Sequence, residues 1–428
     1  MIKRSIDSWL LIVAISLIIS ACNISKQISR KEAAIFLSDS SIITGHIGIS
    51  IFEPATNNYW YNYNATKNYL PASNTKLFTL YAALKYLGDS LTAAKYIQIG
   101  DSLIIQPNAD PTFLHPDFVR QPLYDLMKSA PNAIIINTDN DVDCFGKGWT
   151  AEDFDQGYMA EKSKFPVFGN MVWFNRATAN SNIIINPQFF ADKISYKNKP
   201  PFLRNRNENI FYIDTVSSTK KIPFITNNYS TQLSILSKLL NKPVSRIEMQ
   251  NKNYRILKSQ PTDSVLIPMM HRSDNFFAEQ LLLMVSNQVL GFMDEEKIIN
   301  QLLKTDLNDL PQIPVWADGS GLSRYNLFTP QSLVYILNKM QQEFGLDRMK
   351  KILPTGGEGT LKNYYIRDSN FIYAKTGSLS NQFTISGYLI TRKNKLLLFS
   401  MLSNNFKGST AAVRRAMERF LMGIREQY

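Results

Sequence analysis

Three short runs of this 428-residue chain hold residue types able to do covalent chemistry: Ser73-Asn74-Thr75-Lys76, Ser273-Asp274-Asn275 and Lys375-Thr376-Gly377. A serine hydroxyl is a poor nucleophile and needs a base within hydrogen-bond reach, a role a desolvated lysine can fill. Ser-x-x-Lys also begins at Ser217 and at Ser218, but both lead into Lys221-Ile222-Pro223, a polar, proline-broken stretch with no helix to carry the geometry. Ser73 differs. It follows Pro71-Ala72 and precedes Leu77, Leu80, Tyr81, Leu84 and Leu87, an apolar stripe at helical spacing that stops at Gly88. That spacing predicts a buried helix opened by Ser73, with Lys76 one turn along on the same face. A serine there can also serve only as an N-cap. The same competing explanation applies to the triplet at Ser273, which stands just before the apolar run 276–282. Lys375-Thr376-Gly377 follows the strand-like run 371–374.

Other chemistries lack residues. The three histidines, His46, His115 and His271, form no HExxH, so a zinc peptidase is not indicated. No GxSxG elbow occurs, and no glycine-rich phosphate loop. Cys144 has no histidine near it in sequence and reads as a small packed residue. No metal or organic cofactor is implied. The net charge of +12 is scattered, with no basic stripe interleaved with aromatics, so nucleic acid is not expected as a partner.

The elements that must position these runs can be sketched from hydrophobic pattern. Strands are expected at 46–52 and 59–63, at 383–390 and at 396–402, with a helix from about Thr410. Between the first two motifs, short strands are expected at 97–105, 133–137, 170–174 and 182–185. At the N-terminus, Lys3 and Arg4 precede an apolar run from Trp9 to Ile19, and Ser20-Ala21 lead to Cys22. This is the pattern of an export signal, with residues 1–21 as leader. Its end resembles a lipobox, in which Cys22 is lipidated and anchors the exported chain to a membrane in the periplasm or cell envelope. An uncleaved N-terminal anchor is the alternative.

Each triplet alone is explicable by chance; the conjunction is not. Ser-x-x-Lys, Ser-x-Asn and Lys-Thr-Gly in this order, on a helix start, a pre-helical loop and a strand, resemble the serine β-lactamases and penicillin-binding proteins. Asp318-Gly319-Ser320-Gly321-Leu322-Ser323-Arg324 and Leu353-Pro354-Thr355-Gly356-Gly357-Glu358-Gly359-Thr360-Leu361 narrow this to a resemblance to the class C, low-molecular-mass penicillin-binding proteins (the DacB type) over about residues 43–425. The resemblance implies an α/β (α+β) core, an antiparallel sheet flanked by helices, built from residues 30–92 plus 255–428, with a β-rich insertion at 93–254. It implies a serine-type D-Ala-D-Ala carboxypeptidase or endopeptidase acting on peptidoglycan stem peptides through a Ser73 acyl-enzyme, with β-lactams as covalent inhibitors. Lys76 is the base by position, with cationic Lys375 helping to keep it neutral. Ser273 relays a proton and Asn275 binds a substrate carbonyl. Gly377 admits the substrate backbone to the strand edge, and Thr376 and Ser378 take the terminal carboxylate with Lys375 supplying charge. The N–H groups of Ser73 and Ser378 would form the oxyanion hole. Asp153 and Tyr158, after Gly148-Trp149, match the family's side-chain pocket together with Arg324 and Ser380. One departure is Asn108-Ala109-Asp110-Pro111-Thr112, where the family has a glycine-rich run. The alternatives are a β-lactamase, for which Glu296-Lys297-Ile298-Ile299-Asn300 faintly echoes a deacylating motif, and a non-catalytic wall-binding lipoprotein.

Overall fold

The computed structural model describes residues 28, 30–176, 182–197, 202–213, 219–250, 253–367 and 369–428. The leader 1–21, Cys22, Ser217 and Ser218 lie outside the described residues. In chain order, helix α1 (Arg30–Leu37) is followed by strands β1 (His46–Glu53) and β2 (Asn58–Tyr63) and helix α2 (Lys76–Tyr86). The next part holds β3 (Ser90–Ile99), β4 (Ser102–Pro107), α3 (Pro122–Ser129), β5 (Ala133–Asn137), β6 (Met171–Asn175) and β7 (Ile184–Asn186). It continues with β8 (Ile194–Tyr196), β9 (Phe211–Ile213), β10 (Thr219–Pro223), α4 (Ser230–Leu240), β11 (Val244–Ile247) and β12 (Arg255–Pro261). Helices α5 (Asp263–His271), α6 (Asn275–Leu290), α7 (Glu295–Lys304), α8 (Pro330–Phe344) and α9 (Leu346–Ile352) precede β13 (Ile372–Leu379), β14 (Gln382–Ile390), β15 (Leu396–Asn404) and α10 (Thr410–Gln427).

Both ends of the chain build one sheet, β13-β14-β15-β1-β2, antiparallel throughout. Its strands β14 and β15 are buried on both faces along nearly their whole length, as a sheet covered on both sides requires. Leu398, Leu402 and Tyr388 pack against Leu77, Phe78, Leu281 and Leu337 from α2, α6 and α8. On the other face Phe383, Ile385 and Phe399 pack with Phe36 of α1 and Met417, Phe420 and Leu421 of α10. Phe36 and Phe420 stack at 4.8 Å between ring centroids.

The intervening part has its own apolar core, including Leu103, Ile105, Phe165, Phe190 and Phe224. Its largest sheet, β11-β5-β4-β3-β12, is mixed, with β4–β5 and β5–β11 parallel. Two local expectations change. The run 97–105 is a hairpin rather than one strand, because Gly100, at φ +56°, turns the chain between β3 and β4. Strands β3 and β12 pair with each other and run past the expected limits of the insertion at 93 and 254, so residues 90–92 and 255–261 serve the inserted sheet.

Candidate active site

A 3₁₀ turn, Ala72–Thr75, leads into α2, so Ser73 stands one turn before the helix proper. No side-chain capping bond is made at either start. Instead Ser73 Oγ accepts from Lys76 Nζ at 3.0 Å, which removes the N-cap explanation. The turn is pinned to the sheet: Thr384 Oγ1 of β14 donates to the Pro71 carbonyl at 2.8 Å, and Asn74 Nδ2 donates to Thr384 Oγ1. Gly377 makes this approach possible. A Cβ there would lie 2.7 Å from the Ser73 nitrogen and 2.8 Å from the Pro71 carbonyl oxygen.

Lys76 is fully buried, and its Nζ reaches three oxygens: Ser73 Oγ, Asn275 Oδ1 at 2.7 Å and the Ser320 carbonyl at 2.7 Å. The two carbonyl-type oxygens can only accept. A neutral amine must therefore point its N–H bonds at Asn275 and Ser320, which turns its lone pair toward the Ser73 hydroxyl. Burial pulls the ammonium pKa down to about 8, while the negative charge of Glu279, Asp318 and Asp274 opposes that shift.

The second motif divides its work by residue. Asp274 caps α6, its side chain accepting from the Phe277 N–H, which frees Ser273 from that task. Ser273 sits at φ +59°, and its Oγ accepts from Lys375 Nζ at 2.8 Å. Asn275 bridges Lys76 and the Tyr158 carbonyl, to which its Nδ2 donates at 3.0 Å. Lys375 is fully buried and also donates to the Thr376 carbonyl at 2.6 Å. Burial, then repulsion from Lys76, holds its pKa well below the usual lysine range.

Sequence reasoning assigned no role to Glu279, yet it fixes the position of Ser320. Its carboxyl accepts from the Gly319 N–H at 3.0 Å and the Ser320 N–H at 2.7 Å. Burial, with Asp318 and Glu295 nearby, pushes its pKa well up. The signal was a lone charged residue in the helix after Asn275. Asp318 organises the rest of that loop, accepting from the Gly321, Ser323 and Asn326 N–H groups and from Trp149 Nε1 at 2.8 Å. Trp149 thus braces the loop.

Ser73, Ser273, Asn275, Thr376 and Ser378 line one open cleft of about 580 Å³. The same cleft takes in Asp153, Tyr158, Arg324 and Ser380, so the structure brings these four residues beside the motifs. Burial and a hydrogen bond to Asp153 push the Tyr158 phenol up to about 12. Lys362, Tyr364 and Arg414, to which sequence reasoning gave no role, complete the wall. Glu296 is elsewhere, paired with exposed Lys147 at 2.7 Å and lining a different cavity. His115 is buried among Phe118, Trp173 and Phe277, and burial lowers its pKa to about 4. The half-buried Cys144 thiol is pushed up to about 11 by burial and is no ready nucleophile.

Among the described residues, the basic side chain beside the candidate nucleophile is a buried lysine, at the junction of an antiparallel sheet and a helical layer. Fold and site together define a serine peptidase of the penicillin-binding class. A sequence model of the D-Ala-D-Ala carboxypeptidase 3 (S13) family matches residues 30–189 and 244–424, and the chain belongs to that family. The D-alanyl-D-alanine carboxypeptidase DacB of Haemophilus influenzae is 24% identical over 405 residues, covering 81% of this chain and 82% of that protein. The carboxypeptidase DacB of Mycolicibacterium smegmatis is 30% identical over 164 residues, and the match spans only 35% of each chain. The crystal structure of penicillin binding protein 4 (dacB) from H. influenzae superposes with a TM-score of 0.74 at 20% identity, covering 92% of this chain and 98% of that one. A predatory peptidoglycan endopeptidase from Bdellovibrio bacteriovorus shares the fold at a TM-score of 0.56 and 13% identity, over 90% and 93% of the two chains.

Proposed function

We propose that this protein cleaves D-alanyl peptide bonds in peptidoglycan stem peptides through an acyl-enzyme on Ser73, releasing terminal D-alanine or opening a crosslink. The observation that carries this reading is Ser73 Oγ at 3.0 Å from a lysine amine with no water-exposed surface. In acylation, the Lys76 lone pair takes the Ser73 proton as Oγ bonds to the carbonyl carbon of the penultimate D-alanine, and the π electrons move onto oxygen. The N–H groups of Ser73 and Ser378 hold that oxyanion. As the tetrahedral centre collapses, the C–N bond breaks and the amine leaves with a proton relayed from Lys76 through Ser273. Water then attacks the Ser73 ester, returning its proton to Oγ and freeing the acid. Asn275 does two things here, holding Lys76 and offering Nδ2 to the substrate chain. Asp153, Tyr158, Arg324 and Ser380 form the pocket for the stem side chain and its free amino end.

The absence of Glu296 from the cleft favours this reading over a β-lactamase, which needs a deacylating base beside the ester. The H. influenzae structure in complex with a β-lactam supports inhibition of this chain by the same class of drug. A peptidoglycan substrate places the work in the cell envelope, and a lipid on Cys22 would hold the protein to a membrane there. Labelling with a fluorescent penicillin, read by intact mass, tests the reading. A one-to-one adduct is expected on the wild type and none on Ser73→Ala. A folded wild type that takes no adduct would refute it, and rapid drug turnover would restore the β-lactamase.

A further inference from the structure

The alternation of β13 separates the third motif into two faces. Thr376 pairs with Ile385 and Ser378 with Phe383, while Lys375 and Gly377 pair with Ser386 and Thr384. Side chains of directly paired residues share a face, and neighbours along a strand do not. Lys375 therefore turns toward Ser273 and α2, where its amine is already engaged. Thr376 and Ser378 share the face of Phe383 and Ile385, the one covered by α10. Lys375, expected to supply charge to a carboxylate held by these two hydroxyls, leaves the strand on the opposite face, its amine donating to Ser273 and to the Thr376 carbonyl.

The cation on the hydroxyl face is Arg414, near the start of α10. Its guanidinium lies 4.0 Å from the centroid of the Tyr364 ring and 5.1 Å from that of Phe383. Among the described residues it makes one hydrogen bond, to the Thr360 carbonyl at 2.6 Å, and no ion pair. The nearby acid, Glu418, is engaged by Arg415 at 2.6 Å and by the Tyr365 N–H. Arg414 lines the same cleft as Ser73, Thr376 and Ser378, with Lys362 beside it. Thr360, also on that wall, has a buried hydroxyl with no partner. The only acid among the described lining residues is Asp153, which already receives the Tyr158 hydroxyl. A half-buried guanidinium lying against two rings, with no ion pair among the described residues, is positioned to receive a planar anion.

We propose that Arg414 pairs with the carboxylate carried by the substrate's leaving group, in one subsite with the hydroxyls of Thr376 and Ser378. The assignment rests on the peptidase reading above and names its specificity residue. It gives the enzyme a permanent positive charge for the leaving group while Lys76 stays free for proton transfer.

A matched pair of acyl-D-alanyl thioesters tests it, one with a carboxylate on the thiol leaving group and one with the methyl ester of that carboxylate. Both are reactive enough to measure. In Arg414→Gln, kcat/KM for the acid should fall roughly ten- to a hundredfold, the effect of losing a charge-assisted bond, and that for the ester should stay within about twofold. Arg414→Lys should recover part of the loss, and Arg419→Gln, an exposed residue of the same helix paired with Asp39, should change neither. Equal losses on acid and ester would reduce Arg414 to a packing residue and overturn the proposal, as would an unchanged acid. Wild type that turns over neither thioester would instead refute the peptidase reading itself.

Discussion

Acylation of Ser73 should follow the charge on Lys76, with a midpoint near pH 8. The amine has no exposure, and its pKa is about 8 against 10.5 in water. That difference corresponds to roughly 3 kcal/mol against the charged form. Glu279, Asp318 and Asp274 favour the charge, so burial outweighs three carboxyl groups. Because the folded value is the lower one, the lone pair is available above the midpoint and lost below it. The neutral fraction falls from about a half at pH 8 to about a tenth at pH 7 and about a hundredth at pH 6. The acylation rate constant should therefore drop close to tenfold per unit on the acid side. Stability carries the same signature with a definite sign. Between the folded and unfolded values the unfolded chain holds a proton that the folded chain has shed, so stability rises with pH across that window and the penalty is fully present below it. Stopped-flow labelling with a fluorescent penicillin between about pH 5.5 and pH 9.5, under single-turnover conditions, reads the rate directly. A rate that is flat through this range, or one whose midpoint lies near the free-lysine value, would refute Lys76 as a base tuned by burial.

Two substitutions probe the supports of the site. Gly377→Ala would drive a Cβ against the Ser73 nitrogen and the Pro71 carbonyl, forcing β13 off the catalytic turn. Acylation should slow about a hundredfold with the fold intact by circular dichroism, and a rate within a factor of about two of wild type would contradict the close approach. Glu279→Gln replaces a carboxyl that accepts two loop N–H groups with an amide offering one acceptor oxygen. It should cost about 1–3 kcal/mol in urea denaturation and slow acylation, since the Ser320 carbonyl holds Lys76. An unchanged denaturation midpoint would show that the carboxyl is not the anchor.

Much of the catalytic framework was readable because it is local. Ser73 and Lys76 are three residues apart, so their contact follows from one helical turn, here a 3₁₀ turn, running into the helix that Leu77, Leu80 and Leu84 require. Likewise, the strands at β1, β2, β14 and β15 announced themselves as apolar runs of sheet length. The hairpin at Gly100 was missed because the apolar residues on either side of a two-residue turn read as one run. Glu279 carries no motif of its own, whereas capping and catalysis both account for the polar triplet ahead of it. Its partners, Gly319 and Ser320, are backbone groups of a loop that comes later in the chain, and backbone partners leave no trace in side-chain identity.

What the order of residues determined by itself was the chemistry: a serine, a lysine three residues on, two further polar triplets and no competing histidine site. Helical and strand periodicity are short-range properties, so they survive in a single sequence. Only the tertiary structure decided which charge serves which atom. The register of β13 on β14 sends Lys375 to one face and Thr376 and Ser378 to the other. The return of α10 across the sheet then sets Arg414 over Phe383, on the face of those two hydroxyls. The dryness that tunes Lys76 likewise comes from packing α2 against α6 and the loop at Ser320, segments roughly two hundred residues or more away in sequence. Desolvation is a sum over neighbours brought together by the fold, and no local pattern encodes it.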